Sequence, residues 1–123
     1  EVKRLFQNDL SGTIAKYDII QNAELYRDHI AIAVVDHTVG RVTAAQAADE
    51  LLNIVGISTS FVLFPDGEQI IISGRSMGDT NVQVILEQLG GGGNAGGQVA
   101  GKTLEQVAVE LTQAIDRYLE EDS

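Results

Sequence analysis

Arg75 and Ser76 stand side by side in the stretch SGRSMGD, Ser73 to Asp79, at the end of an apolar run. A guanidinium offers a planar fork of donors that matches phosphate oxygens, and the neighbouring hydroxyl adds one more. The same arginine also reads as a solvated charge or a surface ion pair. Further along, Gly90 to Gly93 run consecutively and Gly96-Gly97 follow, so most of the chain's 13 glycines fall between Gly74 and Gly101. Successive N–H groups of such a loop can point into one concavity and hold an anion, while glycine runs also serve as plain turns and helix stops. The spacing fits neither the dinucleotide-binding fingerprint nor the phosphate loop that closes on Lys-Ser or Lys-Thr. The two histidines, His29 and His37, lie at no metal-ligand spacing. His29 reads as the start of a strand and His37 as part of a polar turn. With no cysteine there is no disulfide framework, thiolate metal site or cysteine nucleophile. The chemistry within reach is recognition of a small anion.

Composition narrows the ligand. The 123 residues carry a formal net charge of −10, which argues against a broad surface for long DNA or RNA. A small anion can still bind where a few donors converge. At 44% hydrophobic and 21% charged residues the chain is ordinary globular material, of a length that suits one domain. No apolar run approaches the ~20 residues of a membrane span, and the opening EVKRLFQNDL is not a signal peptide, so a soluble chain is expected.

The elements that must position these groups alternate. Val2 to Asn8 suits a short helix, and Thr13 to Asn22 reads as a strand with Ile14, Tyr17 and Ile19-Ile20 as its apolar positions. HIAIAVV, His29 to Val35, has the unbroken apolar pattern of a strand covered on both faces. Thr43 to Ile54 is predicted as a helix, opened by a Thr43-Gln46 capping box and stopped by Gly56. Ser58 to Phe64 and Glu68 to Ser73 flank Pro65-Asp66-Gly67, which is turn chemistry, so they should form a hairpin. Its free edge is a candidate contact for a homodimer. Asn81 to Leu89 suits a short helix capped by Asp79 or Thr80. Thr103 to Leu119 suits a long one, with a Thr103-Gln106 box and an apolar stripe through Leu104, Val107, Leu111 and Ile115. The expected class is α/β of the mixed α+β kind, a mixed β-sheet of about five strands with helices packed on it.

That layout bears on the glycines. A flexible linker joins units that each fold, but only a strand fragment and one amphipathic helix follow Gly97. Such a remnant cannot bury its own stripe. The run is better placed as a turn or a cradle inside a single domain covering residues 1–123.

Gly74-Arg75-Ser76, Asn81-Val82, and Gly90 to Gly93 followed by Asn94-Ala95 resemble the DHH-associated C-terminal domain of the DHH/RecJ phosphoesterase family. The stretches AELYRDHIAIAV (Ala23 to Val34), AAQAADELLNIVGISTSFVL (Ala44 to Leu63) and SGRSMGDTNVQVILEQLGGGG (Ser73 to Gly93) resemble that domain in GdpP-type cyclic-di-AMP phosphodiesterases. The resemblance implies a DHH-associated domain fold that binds substrate for a separate DHH domain of the same chain. In the family that partner holds a two-manganese centre activating water. It further implies a hydrolase converting cyclic di-AMP to the linear pApA, with this piece inactive alone and without metal ligands. A cyclic dinucleotide or a short oligonucleotide is the implied ligand; the other readings are a nanoRNase or RecJ-like exonuclease, and a non-catalytic interaction module. By the same resemblance Arg75, Ser76, Asn81, Gly91, Gly92, Gly93 and Asn94 contact phosphate and base, although Asn81 also suits a helix first turn. The full-length relatives imply a cytoplasmic domain of a membrane-anchored protein. The family keeps a His after its glycine run, where this chain has Asn94. Either Asn94 replaces it, donating through its amide but unable to titrate near neutrality, or three residues including the His are absent between Gly93 and Asn94.

Overall fold

The computed structural model describes residues 2–89 and 96–122. Helix α1 (Val2–Gln21) leads into a hairpin of β1 (Ala23–Tyr26) and β2 (Ile30–Val34), followed by α2 (Arg41–Leu51). A second hairpin, β3 (Thr59–Asp66) and β4 (Gln69–Ser76), is followed by the short α3 (Val82–Glu87), then β5 (Gly96–Ala100) and α4 (Leu104–Asp122). The five strands form one sheet in chain order. β2 and β3 pair in parallel across the α2 crossover, and every other neighbour is antiparallel, so the sheet is mixed as the pattern required.

Alternation along the strands separates two cores. On one face Ile30, Ile32, Phe61, Leu63, Ile70 and Ile72 pack against α3 and α4. On the other, Ala31, Ala33, Val62, Phe64 and Ile71 meet Ile19 of α1 and the alanines of α2. The small side chains Ala44, Ala47 and Ala48, all fully buried, let α2 lie close on the sheet. α4 buries Val107, Leu111 and Ile115, along the stripe read from its sequence. Its box also forms: Thr103 N donates to Gln106 Oε1 at 2.9 Å, and Gln106 N donates to Thr103 Oγ1 at 3.1 Å. The segment after the glycines is therefore part of the same folded unit.

Several expectations need correction. Thr13 to Asn22 is not a strand, and α1 does not stop at Asn8; one helix runs through both. Ile14 and Tyr17 are exposed at 54% and 53%, together with Leu10 at 47%. Their i, i+4, i+7 spacing is helical, and the β-branched residues suggested a strand that the fold does not need. The outer strand is instead AELY, β1. Thr43 and Gln46 do not cap α2: its N-cap is Gly40, without a side-chain bond, which places Thr43 inside the first turn. The helix ends at Leu51, capped by Leu52 in right-handed geometry, so Gly56, at φ 95°, shapes the following loop. The hairpin turn is tighter than expected. Pro65 and Asp66 still pair with β4, and Gly67, at φ 66°, makes the turn with Glu68. Nor is the hairpin edge free, because β5 pairs with β4 from Gln69 to Ser73; the described sheet ends on β1 and β5.

Candidate functional site

Four strands end at the same side of the sheet, and their registers align Tyr26, Ile30, Thr59 and Ser76 in one row. The row faces α3 and α4. Beyond Ser76 the chain turns through Met77 and Gly78 into α3, and the turn leaves a cleft of about 460 Å3 lined by Gly74, Arg75, Ser76, Gly78, Asn81 and Val82, among others.

Arg75 and Ser76 reach the cleft from opposite faces of β4, as neighbours on a strand must. Arg75 turns towards α2. Its Nε lies 3.2 Å from Asp49 Oδ1, and its Nη1 donates to the Gly74 carbonyl at 2.8 Å. With 34% of the side chain exposed, the guanidinium is aimed rather than buried, and the N–H groups not used by these contacts remain for a ligand. The ion-pair reading of Arg75 was therefore correct as far as it went. Ser76 turns towards α3, where its Oγ accepts from Gly78 N at 3.2 Å. That contact leaves the hydroxyl proton of Ser76 for another acceptor.

Asn81, and not Asp79 or Thr80, caps α3. Its Oδ1 accepts from Gln83 N at 3.1 Å and Val84 N at 3.3 Å. The cap occupies the oxygen and leaves the Nδ2 donor without a partner among the described residues. Asn81 is fixed in turn by α4: its N–H donates to the Tyr118 hydroxyl at 2.9 Å, and that hydroxyl lies 3.4 Å from the Asp79 carbonyl. The backbone at Gly74 completes the wall. A Cβ there would sit 3.1 Å from Phe61 Cε1 and 3.3 Å from Val82 Cβ, so the first residue of α3 can lie against β4 only because residue 74 has no side chain.

On the β1 side of the row a second polar cluster ties the first hairpin to α4. The Tyr26 hydroxyl donates to Asp116 Oδ1 at 2.7 Å, and Arg27 Nε donates to the same oxygen at 2.8 Å. These bonds, that from Tyr26 foremost, hold the Asp116 carboxyl below its usual range. The same bond, with some burial, raises the Tyr26 phenol. Arg27 and Asp28 take φ of 55° and 67°, a turn that L residues adopt at a cost.

Of the residues singled out in the sequence, Arg75, Ser76 and Asn81 thus surround one cleft. Gly91, Gly92, Gly93 and Asn94 lie outside the described residues. Asp49, Tyr118 and the packing role of Gly74 were not read from sequence. Only Gly74 left a signal, as the glycine of the Gly74-Arg75-Ser76 stretch just past the predicted strand; the other two come from α2 and α4 and are neighbours in space alone. His29 Nδ1 lies 2.6 Å from the Arg27 carbonyl, and His37 Nδ1 lies 3.1 Å from Asp36 Oδ1. Among the described residues no three His, Cys, Asp or Glu side chains converge as a metal site, and no helix is long and apolar enough to cross a membrane.

The DHHA1 domain family matches residues 27–121, most of the chain and all of the cleft. The chain belongs to the DHHA1 domain family. It is 39% identical over 123 residues to the cyclic-di-AMP phosphodiesterase PdeA of Listeria monocytogenes, covering 95% of this chain. It is 37% identical over 127 residues to the cyclic-di-AMP phosphodiesterase GdpP of Bacillus subtilis, covering 97%. The DHHA1 chain spans 19% of the length of each of these relatives. Among solved structures, an exopolyphosphatase-related protein from Bacteroides fragilis superimposes with a TM-score of 0.73 at 22% identity, over 88% of this chain and 35% of its own. A pGpG-specific phosphodiesterase, PggH, from Vibrio cholerae gives 0.62 at 20%, over 95% of this chain and 43% of its own. At these identities the two structures speak to the DHHA1 fold alone.

Proposed function

We propose that this DHHA1 domain is the substrate-binding part of a larger phosphodiesterase that opens cyclic di-AMP to pApA. The observation that carries the reading is the cleft at the end of β4, which gathers Arg75, Ser76 and Asn81 in a chain that matches two cyclic-di-AMP phosphodiesterases over nearly its whole length. The part each residue plays follows from its geometry. Arg75, steadied by Asp49 and the Gly74 carbonyl, presents its remaining N–H groups to a phosphodiester oxygen. Ser76 donates its hydroxyl proton from the opposite side of the strand. The Nδ2 of Asn81 is held in place by the cap and by Tyr118, and it donates to a phosphate or a base edge. Gly91, Gly92, Gly93 and Asn94 are proposed, from the family resemblance, to contact phosphate and base.

The residues described here do not fit a manganese pair, since no acidic or histidine cluster exists among them. The metal-bound water is accordingly assigned to a separate DHH domain, and the DHHA1 domain alone is proposed to bind without turnover. A membrane anchor is likewise proposed for the intact protein, with this domain on the cytoplasmic side. The test is hydrolysis by the intact enzyme. Faster turnover of cyclic di-AMP than of linear dinucleotides is expected; turnover confined to linear dinucleotides or short oligonucleotides would move the assignment to a nanoRNase-like enzyme, and none at all to a binding module.

A further inference from the structure

Thr59 opposes Ser76 across the β3–β4 pair, and its side chain shares the face that turns to α3. Met77 N donates to the Ser58 carbonyl at 2.9 Å, which makes Ser58/Met77 a hydrogen-bonded pair. The next pair, Thr59/Ser76, is then of the non-bonded kind, in which opposing side chains come closest. Thr59 is 0% exposed. Its Oγ1 is the buried side-chain oxygen without a hydrogen-bond partner among the described residues. A buried hydroxyl left unpaired is costly, and a pair of opposed Thr and Ser side chains is the usual place for the two hydroxyls to satisfy each other. Here Ser76 Oγ is drawn the other way, onto the Gly78 N–H.

We propose that Thr59 is a positioning residue for the cleft, acting through Ser76. In the free state Ser76 serves the Gly78 N–H and Thr59 goes without. An acceptor oxygen entering the cleft takes the Gly78 N–H, which frees the Ser76 oxygen to accept from the Thr59 hydroxyl behind it while the Ser76 proton still goes to the ligand. The ligand then relieves an unpaired buried group that it never touches, so part of its affinity comes from Thr59. This inference rests on the cleft being the nucleotide site.

The test is made in the intact phosphodiesterase with pApA as probe, since Thr59→Val keeps the shape of the side chain and removes only the hydroxyl. The unliganded protein should melt no lower than wild type. The Kd for pApA should weaken about tenfold, the effect of satisfying one such group in the bound state alone, and Thr59→Ser should restore it. A purely structural threonine would give Thr59→Val a wild-type Kd, which overturns the proposal, as does a Thr59→Ser that fails to restore binding. Arg75→Ala, measured alongside, separates the two levels. If it weakens binding while Thr59→Val does not, the relay fails and the cleft stands; if neither changes the Kd, both fail. Should Thr59→Val not fold, crystals of the wild-type protein with and without pApA decide the matter, the two hydroxyls coming within hydrogen-bond distance on binding or staying apart.

Discussion

Replacing Gly74 by alanine tests the link between packing and the cleft. Gly74 is not in left-handed backbone, so alanine meets no φ penalty there. The cost is steric. The new methyl would lie 3.1 and 3.2 Å from two ring carbons of Phe61 and 3.3 Å from the Cβ of Val82. Neither neighbour gives easily: Phe61 is fully buried and Val82 is 8% exposed. Overpacking of this kind costs about 1–3 kcal/mol. Against it stands the gain from replacing a glycine in a strand, roughly 0.5–1 kcal/mol, which leaves a net loss centred on about 1 kcal/mol. For a domain of this size that is a fall in Tm of roughly 4–8 °C, read by calorimetry or circular dichroism. The clash also has a named partner. Combining Gly74→Ala with Phe61→Leu should recover at least about 0.5 kcal/mol relative to the sum of the single changes. A Tm within 1 °C of wild type, or strictly additive variants, would refute the close approach of β4 and α3 as the reason for the glycine.

Asn81 separates its two roles by substitution. Asn81→Ala should cost about 0.5–2 kcal/mol through loss of the α3 cap, whereas Asn81→Asp should keep the cap and the Tm but weaken nucleotide binding, because it loses the amide donor; equal Kd values for Asn81→Asp and wild type would remove Asn81 from the site. Arg75→Lys should bind nucleotide nearly as poorly as Arg75→Ala, since an ammonium cannot keep both the Asp49 contact and a fork for phosphate. Both Arg75 variants should stay within about 1 kcal/mol of wild-type stability, because the Asp49 partner is exposed and Arg75 is only partly buried. The Tyr26–Asp116–Arg27 cluster predicts a pH dependence. The folded pKa of Asp116 lies below its unfolded value of about 3.9, so its contribution is present above that value and is lost as pH falls through the lower, folded one. Tyr26 is raised, so its share persists below about pH 10 and is lost as pH rises through the raised value. The Tm gap between wild type and Asp116→Asn should therefore be open at neutral pH and narrow progressively as pH falls below about 4; a gap that stays constant on acidification contradicts the assignment.

What was legible in the sequence follows how local its cause is. The Thr103-Gln106 box and the β3–β4 hairpin depend on residues within a few positions of each other, and both form as read. TIAKYDIIQN was misread because its β-branched residues favour a strand, while the helix that forms leaves Ile14 and Tyr17 at the surface and buries Ile19 against α2. β1 was missed because AELY is a short outer strand, and its turn uses Arg27 and Asp28 in left-handed backbone where a glycine would have marked it. At the cleft, Arg75 and Ser76 stood out by residue type, and Asn81 by family resemblance. Asp49, Thr59 and Tyr118 did not, because each stands beside a cleft residue, Arg75, Ser76 or Asn81, from an element distant in sequence. That Arg75 and Ser76 leave opposite faces of β4 follows from strand pleating once the strand is known to run as far as Ser76.

The most direct measurement is the kinetics of cyclic di-AMP hydrolysis by the intact enzyme carrying Arg75→Ala. With the cleft as the substrate site, kcat/KM should fall at least about tenfold, the loss of one charge-assisted contact to phosphate, while the Tm changes little. A kcat/KM equal to that of wild type would place the substrate elsewhere.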